Sequence, residues 1–256
     1  MHVILEHRSG YRLGHEEKVI EQWLLLCGQT YKIAALSQLQ RQRIDVKNAG
    51  LVVGSLPFIK AALRQHGLEM PVDDTYPSIL SDLLGRRVCK LPLHRVLDEV
   101  GRGGACFVKP ADRPKLFTGY VLRPGDDYPI AHVPRREMVW RSDIVKWISE
   151  WRFYVVGGQV AAKACYSGDP LVVPSAEAVS EALSRLNAAG YTAHHAIDFG
   201  VLEDGSTALV ECNEGFSVGA YEGVSAEIYF KMLSGRWAEL MSERKESDHV
   251  QKHPCQ

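Results

Sequence analysis

Apolar positions along this chain follow the helix period and the strand period in turn, beginning with Val3-Ile4-Leu5, a short strand. Val19, Ile20, Trp23, Leu24 and Cys27 then recur at i, i+3, i+4 spacing, which predicts a helix over 16–27 with Gly28 as its stop. Lys32 to Leu36 and Leu51 to Val53 read as strands, and Gly54-Ser55-Leu56-Pro57 leads into a helix from Phe58 to about Gln65. Alternating strands and helices predict a parallel sheet. Ligands of such sheets gather at the carboxyl ends of strands, so Ser55 to Phe58 are candidate binding positions, although helix capping alone would also explain that turn. Val179, Leu183 and Leu186 stripe a helix over 176–189, stopped by Gly190, and another is predicted from about Val224 to Leu233. Ser242 to Gln256 is polar without an apolar period and predicts a frayed tail.

Strand periodicity is strongest around two tight turns. Asp204-Gly205 is a hairpin signal between runs rich in Val, Leu, Ile and Thr. Pairing Glu203 with Ser206 places Leu202 opposite Thr207, Gly200 opposite Leu209 and Asp198 opposite Glu211, with Asn213 on the same face two residues further. Facing carboxylates destabilise a sheet, and the apolar flanks make their burial costly. Two carboxylates and an amide oxygen suit a hard cation, Mg²⁺ or Mn²⁺, rather than zinc. A solvated acidic edge is the plain alternative. In the second hairpin Gly157-Gly158 is the turn, and pairing Val156 with Gln159 sets Tyr154 opposite Ala161 and Arg152 opposite Lys163. Two cations there either snorkel apart, or have one of them neutralised by nearby Glu150, or hold a polyanion such as a metal-bound triphosphate.

A further basic element precedes both hairpins. Phe107-Val108 reads as a strand entered from the Gly103-Gly104 turn, and Pro110 ends its pairing, so Lys109 stands at a strand end, where sites form. The loop from Ala111 to Thr118 adds Arg113 and Lys115, and Gly119 opens another apolar strand. Neither a Walker-type phosphate loop nor a Gly-x-Gly-x-x-Gly after a strand occurs, so a nucleotide would be bound differently.

Phe107-Val108-Lys109-Pro110, then Asp198 with Glu211-Cys212-Asn213, resembles the ATP-grasp superfamily in order and spacing, from about Cys89 to Tyr221. The Lys115-Leu-Phe-Thr-Gly119 stretch, the Glu150-x-Arg152 strand and Tyr166-Ser-Gly-Asp169 are similar to a compact clade of bacterial and phage ATP-grasp proteins. The resemblance implies an α/β (α+β) chain with the ATP-grasp fold, in which two α+β lobes clasp ATP after a small N-terminal α/β lobe. It divides this chain into 1–86, 87–138, 139–241 and the tail 242–256. It also implies that Lys109 and Lys115 contact the phosphates and that Asp198, Glu211 and Asn213 hold Mg²⁺ or Mn²⁺. Arg152 and Lys163 would stabilise charge on the γ-phosphate and an acyl phosphate, and adenine would lie near 139–143. One departure is that Pro114 and Lys115 stand where many relatives carry a run of glycines.

Composition narrows the partners. A formal charge of −1 over 256 residues, with scattered basic groups, leaves no nucleic-acid footprint, and the apolar run near Trp23–Cys27 is too short for a bilayer. The start lacks a charged n-region, and cysteines at 27, 89, 106, 165, 212 and 255 form no framework, so reduced thiols in a cytoplasm are expected. Cys212 belongs to the core by alternation, and His194 and His195 point opposite ways, so a structural or surface role suits each. Phosphoryl and acyl transfer need fixed cations and metals more than a protein nucleophile. With the resemblance, the expected activity is ATP-dependent joining of a small-molecule or peptide carboxylate to an amine through an acyl phosphate. A small-molecule kinase and a non-catalytic nucleotide-binding module remain open. Glu214 to Gly223 is the candidate substrate rim, with Ser217 and Tyr221 as donors, or else a plain connection.

Overall fold

Wholly buried Val3, Ile4 and Leu5 begin β1 (Val3–Arg8), which lies between two parallel neighbours, β3 (Tyr31–Ala34) and β4 (Leu51–Val53). The structure, a computed structural model, describes residues 1–72, 74–113, 116–126 and 128–252, with the backbone alone for residues 128 and 243–252. The short β2 (Arg12–Leu13) folds back antiparallel on the end of β1. Helices α1 (His15–Leu26), α2 (Leu36–Gln40) and α3 (Leu56–Gln65) surround this sheet, and Ile20, Leu24, Phe58, Ile59 and Leu63 fill its core. The parallel sheet is as expected, but Leu36 opens α2 instead of ending a strand. Gln38 explains the switch, because its Oε1 accepts the Ala35 amide at 2.8 Å in the manner of a capping box.

The second sheet runs in the order β5 (Val88–Pro92), β8 (Met138–Ser142), β6 (Cys106–Pro110), β7 (Tyr120–Leu122), antiparallel throughout. Leu93, Val96 and Val100 of α4 (Leu93–Gly101) cover it, packing on Cys106, Val108, Leu122 and Val139. This sheet therefore continues to Ser142, past the division expected at 138.

The third sheet, β10 (Gln159–Gly168), β9 (Trp147–Val156), β11 (His195–Leu202), β12 (Thr207–Glu214), is also antiparallel. On one face Phe153, Val155, Ile197, Phe199, Leu209 and Cys212 pack on α5 (Ala176–Ala188) and on Leu80 and Leu84. On the other, Tyr154, Ala164 and Ala196 meet Tyr229, Met232 and Trp237 of α6 (Ala226–Lys252), in a cluster continuous with the N-terminal core. Residues 80–84 thus join the third sheet's core, although the sequence places them with the N-terminal lobe. The expected tail is helical as far as Lys252, where Glu, Lys, Arg and Gln favour helix without an apolar stripe, and 253–256 lie outside the described residues. Among the described residues no helix is long and apolar enough to cross a membrane.

His195 is wholly buried, with Nδ1 2.8 Å from the Thr192 carbonyl oxygen and Nε2 facing no partner. Burial pushes its pKa down to about 4. Between pH 6.5 and 4 the unfolded chain binds a proton that the folded chain refuses, so stability falls with acidity, by roughly 3 kcal/mol in all. His195→Asn, which keeps a donor toward Thr192, is expected to remove that part of the pH dependence. Urea unfolding at pH 7 and pH 4.5 measures it, and an identical pH dependence in the variant would contradict the assignment.

Candidate active site

Asp198 does face Glu211, through two offsets that cancel. The turn is a three-residue loop, Glu203-Asp204-Gly205, closed by Leu202 N–H to Ser206 O at 2.9 Å, with Gly205 at φ +83°. That shifts the pairing by one residue from the expected register, setting Val201 opposite Thr207, Gly200 opposite Ala208 and Phe199 opposite Leu209. A β-bulge at Val210 then restores Asp198 to Glu211. Without the bulge Val210 would face Asp198, and Glu211 would point to the α5 side, since a one-residue slip inverts every side chain.

Arg86, unmarked by any spacing in the sequence, holds this bulge. Its Nη1 donates to the Leu209 carbonyl at 2.8 Å and its Nη2 to the Val210 carbonyl at 3.0 Å, while the guanidinium lies 5.1 Å from the Trp147 ring centroid. Both of these carbonyls lie more than a hundred residues away, and Nη1 also donates to the nearby Leu84 carbonyl at 2.9 Å.

The cation pair does not form as expected. A bulge at Ala161 sets Lys163 opposite Phe153 and Ala164 opposite Arg152, and Tyr154 faces Ala162 rather than Ala161. Lys163 consequently lies on the α5 face, with its ammonium 5.5 Å from the Trp151 ring. The cation that completes the cluster comes from the facing sheet. Lys109 Nζ donates to Glu211 Oε2 at 2.6 Å and sits 4.5 Å from the Tyr76 ring centroid. Lys115 lies outside the described residues.

On β9, Arg152 grips Asp198 with both arms, Nε to Oδ1 at 2.8 Å and Nη2 to Oδ2 at 2.7 Å, and its Nη2 is 3.9 Å from Glu211 Oε1. Asn213 Nδ2 reaches Asp198 Oδ2 at 3.5 Å. Asp198 is 1% exposed and Arg152 6%. Burial pushes the Asp198 carboxyl up to about 6 against the pull of Arg152, and Asp198 in turn holds the guanidinium above its usual range. Burial also opposes charge on Glu211, but Lys109 and Arg152 outweigh it and hold that carboxyl below the usual range. Lys109 is shifted up, with Glu211 overcoming its desolvation. Tyr221 and Tyr166 stack with centroids 4.9 Å apart beside the Arg152 guanidinium, and burial raises both phenols.

Two cavities flank the cluster. One, about 390 Å³, lies between the second and third sheets, with Lys109, Glu211 and Arg86 among its polar walls and Phe107, Ile144, Val145 and Trp147 among its apolar ones. Ser142 and Asp143, from the segment where adenine is expected, also line it. The other, about 420 Å³, is lined by Arg152 and Asn213, by Ser217 to Gly219, and by N-terminal residues including Glu6, Glu17 and Ser55. The rim at 214–223 is held from below: Tyr154 Oη donates to the Gly219 carbonyl at 3.0 Å and accepts the Tyr221 amide at 2.9 Å, and Tyr229 Oη donates to the Val218 carbonyl at 2.6 Å. Ser217 adopts φ +52° there, a conformation that costs a non-glycine residue and that its anchored neighbours impose.

As a donor set, Asp198, Glu211 and Asn213 fit a hard divalent ion. They offer oxygens on one face, and a carboxylate held by Arg152 keeps lone pairs to share. Among the described residues no group of three His, Cys, Asp or Glu gathers that could hold a metal without the amide of Asn213 or another oxygen donor.

Comparison with known proteins bears on the family and the fold. A family model described as an ATP-grasp domain, the second family of its clade, matches residues 83–232, whereas no curated protein matches the sequence. The fold is similar to a RimK domain protein ATP-grasp from Sphaerobacter thermophilus, at 14% identity over 94% of this chain and 100% of that one, with TM-score 0.57. It is similar to a D-alanine–D-alanine ligase from Bacillus anthracis complexed with ATP, at 16% identity over 96% and 98%, with TM-score 0.57. It is also similar to the macrocyclase MdnC from Microcystis aeruginosa bound with its precursor peptide MdnA, at 13% identity over 94% and 99%, with TM-score 0.51. Since the family match spans well over half of the chain and takes in Arg86, Lys109, Arg152, Asp198, Glu211 and Asn213, the chain belongs to this ATP-grasp domain family.

Proposed function

We propose that this protein is an ATP-dependent carbon–nitrogen ligase that activates a carboxylate as an acyl phosphate and joins it to an amine. The observation that carries the proposal is the placement of the charged cluster between two cavities. Lys109 and Glu211 line one, and Arg152 and Asn213 line the other. A nucleotide in the first would direct its triphosphate at the cluster, with the apolar walls available to its base. A carboxylate and an amine in the second would meet the γ-phosphate from the opposite side.

Asp198, Glu211 and Asn213 would hold Mg²⁺, which when bound neutralises the phosphate oxygens and favours their transfer. Lys109 supplies a fixed positive charge at the phosphates, and Arg152, whose Nε and Nη2 hold Asp198, offers its Nη1 donors to oxygens that gain charge as the phosphoryl group moves. That group leaves ADP for a carboxylate oxygen. The amine nitrogen then attacks the acyl carbon, the carbon–oxygen bond to phosphate breaks, phosphate departs with that electron pair, and the amine gives up a proton. Lys109–Glu211 and Arg152–Asp198 neutralise one another within the protein, which lets both signs persist in a largely buried cleft. The free cysteines among the described residues agree with a cytoplasmic enzyme.

The test is release of ADP and phosphate in the presence of paired carboxylates and amines, with mass spectrometry for a condensed product. ADP with a stable phosphorylated product would make the protein a kinase instead. Arg86→Met removes the clamp on the bulge while keeping an apolar stack on Trp147. We expect kcat to fall about 10- to 100-fold, because catalysis loses geometry held to within an ångström. Arg86→Lys should not rescue it, because one ammonium cannot reproduce the guanidinium fork. Wild-type kcat in Arg86→Met would show that the bulge holds without its clamp.

A further inference from the structure

The second cavity carries more carboxylates than the ligation reading needs. Glu6 and Arg8 at the end of β1, Glu16 and Glu17 at the start of α1, and Ser55 after β4 form its N-terminal wall, opposite Arg152 and Asn213. These are carboxyl ends of parallel strands, where ligands of such sheets sit. Three carboxylates against one guanidinium leave that wall negative, while the charge of Arg152 is taken by Asp198.

Glu16 and Glu17 stand in the first turn of α1, and the helix dipole favours acids there. That effect needs no burial, and Glu17 is only 8% exposed. Burial raises its pKa against a hydrogen bond from its own backbone amide and the charge of Arg8, while no other side chain among the described residues hydrogen-bonds its carboxylate. Gly14 gives it room, since a Cβ at Gly14 would come within 2.3 Å of Glu17 Oε2. Glu6 Oε2 accepts the Ser55 amide at 2.6 Å, which fixes that carboxylate at the cavity wall. A buried acid without a partner side chain, facing a cavity, calls for a ligand that brings positive charge and N–H donors.

We infer that this cavity binds an organic cation, a primary ammonium or guanidinium group of the acceptor substrate, with Glu17 and Glu6 as its counter-charges. The inference rests on the ligase reading for the word acceptor, but the cation site stands on its own geometry. A volume of about 420 Å³ suits a small basic amine or a basic side chain rather than a large ligand.

Agmatine serves as the probe, with 1,4-butanediol as its neutral counterpart, each titrated into the full chain by calorimetry. Agmatine is expected to bind saturably and the diol not at all. Glu17→Gln and Glu6→Gln should each weaken agmatine at least tenfold, with circular dichroism confirming their fold. Glu6→Gln keeps an acceptor for the Ser55 amide and so removes charge alone. Equal affinity for the diol, or wild-type agmatine affinity in both variants, overturns the inference. If agmatine binds through Glu17 and no carboxylate–amine pair ever yields a condensed product, the ligase reading fails and the cation site stands. If condensation proceeds with neutral amines and agmatine does not bind, the cation site fails and the ligase reading stands.

Discussion

Arg152→Met is expected to destabilise the fold by about 3–5 kcal/mol and to abolish ATP-dependent turnover. The stability loss follows from burial: Asp198 is 1% exposed, both its oxygens are held by Arg152, and removing the guanidinium leaves a buried charge without its counter-ion. The double variant Arg152→Met/Asp198→Asn should regain most of the lost stability, because neither charge then remains in the interior. It should regain no turnover, since the Arg152 donor to the phosphoryl group and a charged metal ligand are both gone. Chemical denaturation of the four forms, alongside ADP release, separates the structural share from the catalytic one. Turnover in the double variant would show that the pair merely braces the sheet.

Glu211→Ala is expected to cut turnover by about a thousandfold or more with a much smaller effect on stability. Glu211 is partly exposed in the cleft and pairs with Lys109, which retains the Tyr76 ring beside it. Its loss removes one of the two carboxylates available to Mg²⁺ and one wall of the nucleotide cavity. Asn213→Ala should act in the same direction but less severely, because an amide contributes no net charge. Substrate-dependent ADP release at saturating Mg²⁺, compared with wild type, checks both, and unchanged release in Glu211→Ala would refute the metal assignment.

The acidic half of the site was legible in the sequence because strand alternation is a strong constraint: Asp198, Glu211 and Asn213 share one face of a hairpin. Its register was reached through two compensating departures, the longer turn at Gly205 and the bulge at Val210, and neither has a composition signal apart from Asp204-Gly205 itself. The basic half was only partly legible. A bulge at Ala161, in an otherwise regular alternation, turns Lys163 to the α5 face, and the cation beside Glu211 is Lys109, from the facing sheet. Residues that work through backbone or cavity geometry stayed hidden. Arg86 donates to backbone carbonyls, and Glu6 and Glu17 gain meaning only when the N-terminal lobe is set against Arg152. The helix through Lys252 escaped because a polar sequence with good helix formers carries no period to detect.

In the proposed mechanism Lys109, Arg152, Asp198, Glu211 and Asn213 form one ATP–metal site. Its most direct test is calorimetric titration of ATP into the wild-type chain and into Glu211→Ala and Lys109→Ala, each with Mg²⁺ and with EDTA. ATP binding is expected to require Mg²⁺ in wild type and to fall at least tenfold in both variants. Binding that is indifferent to Mg²⁺, or equally tight in both variants, would contradict it.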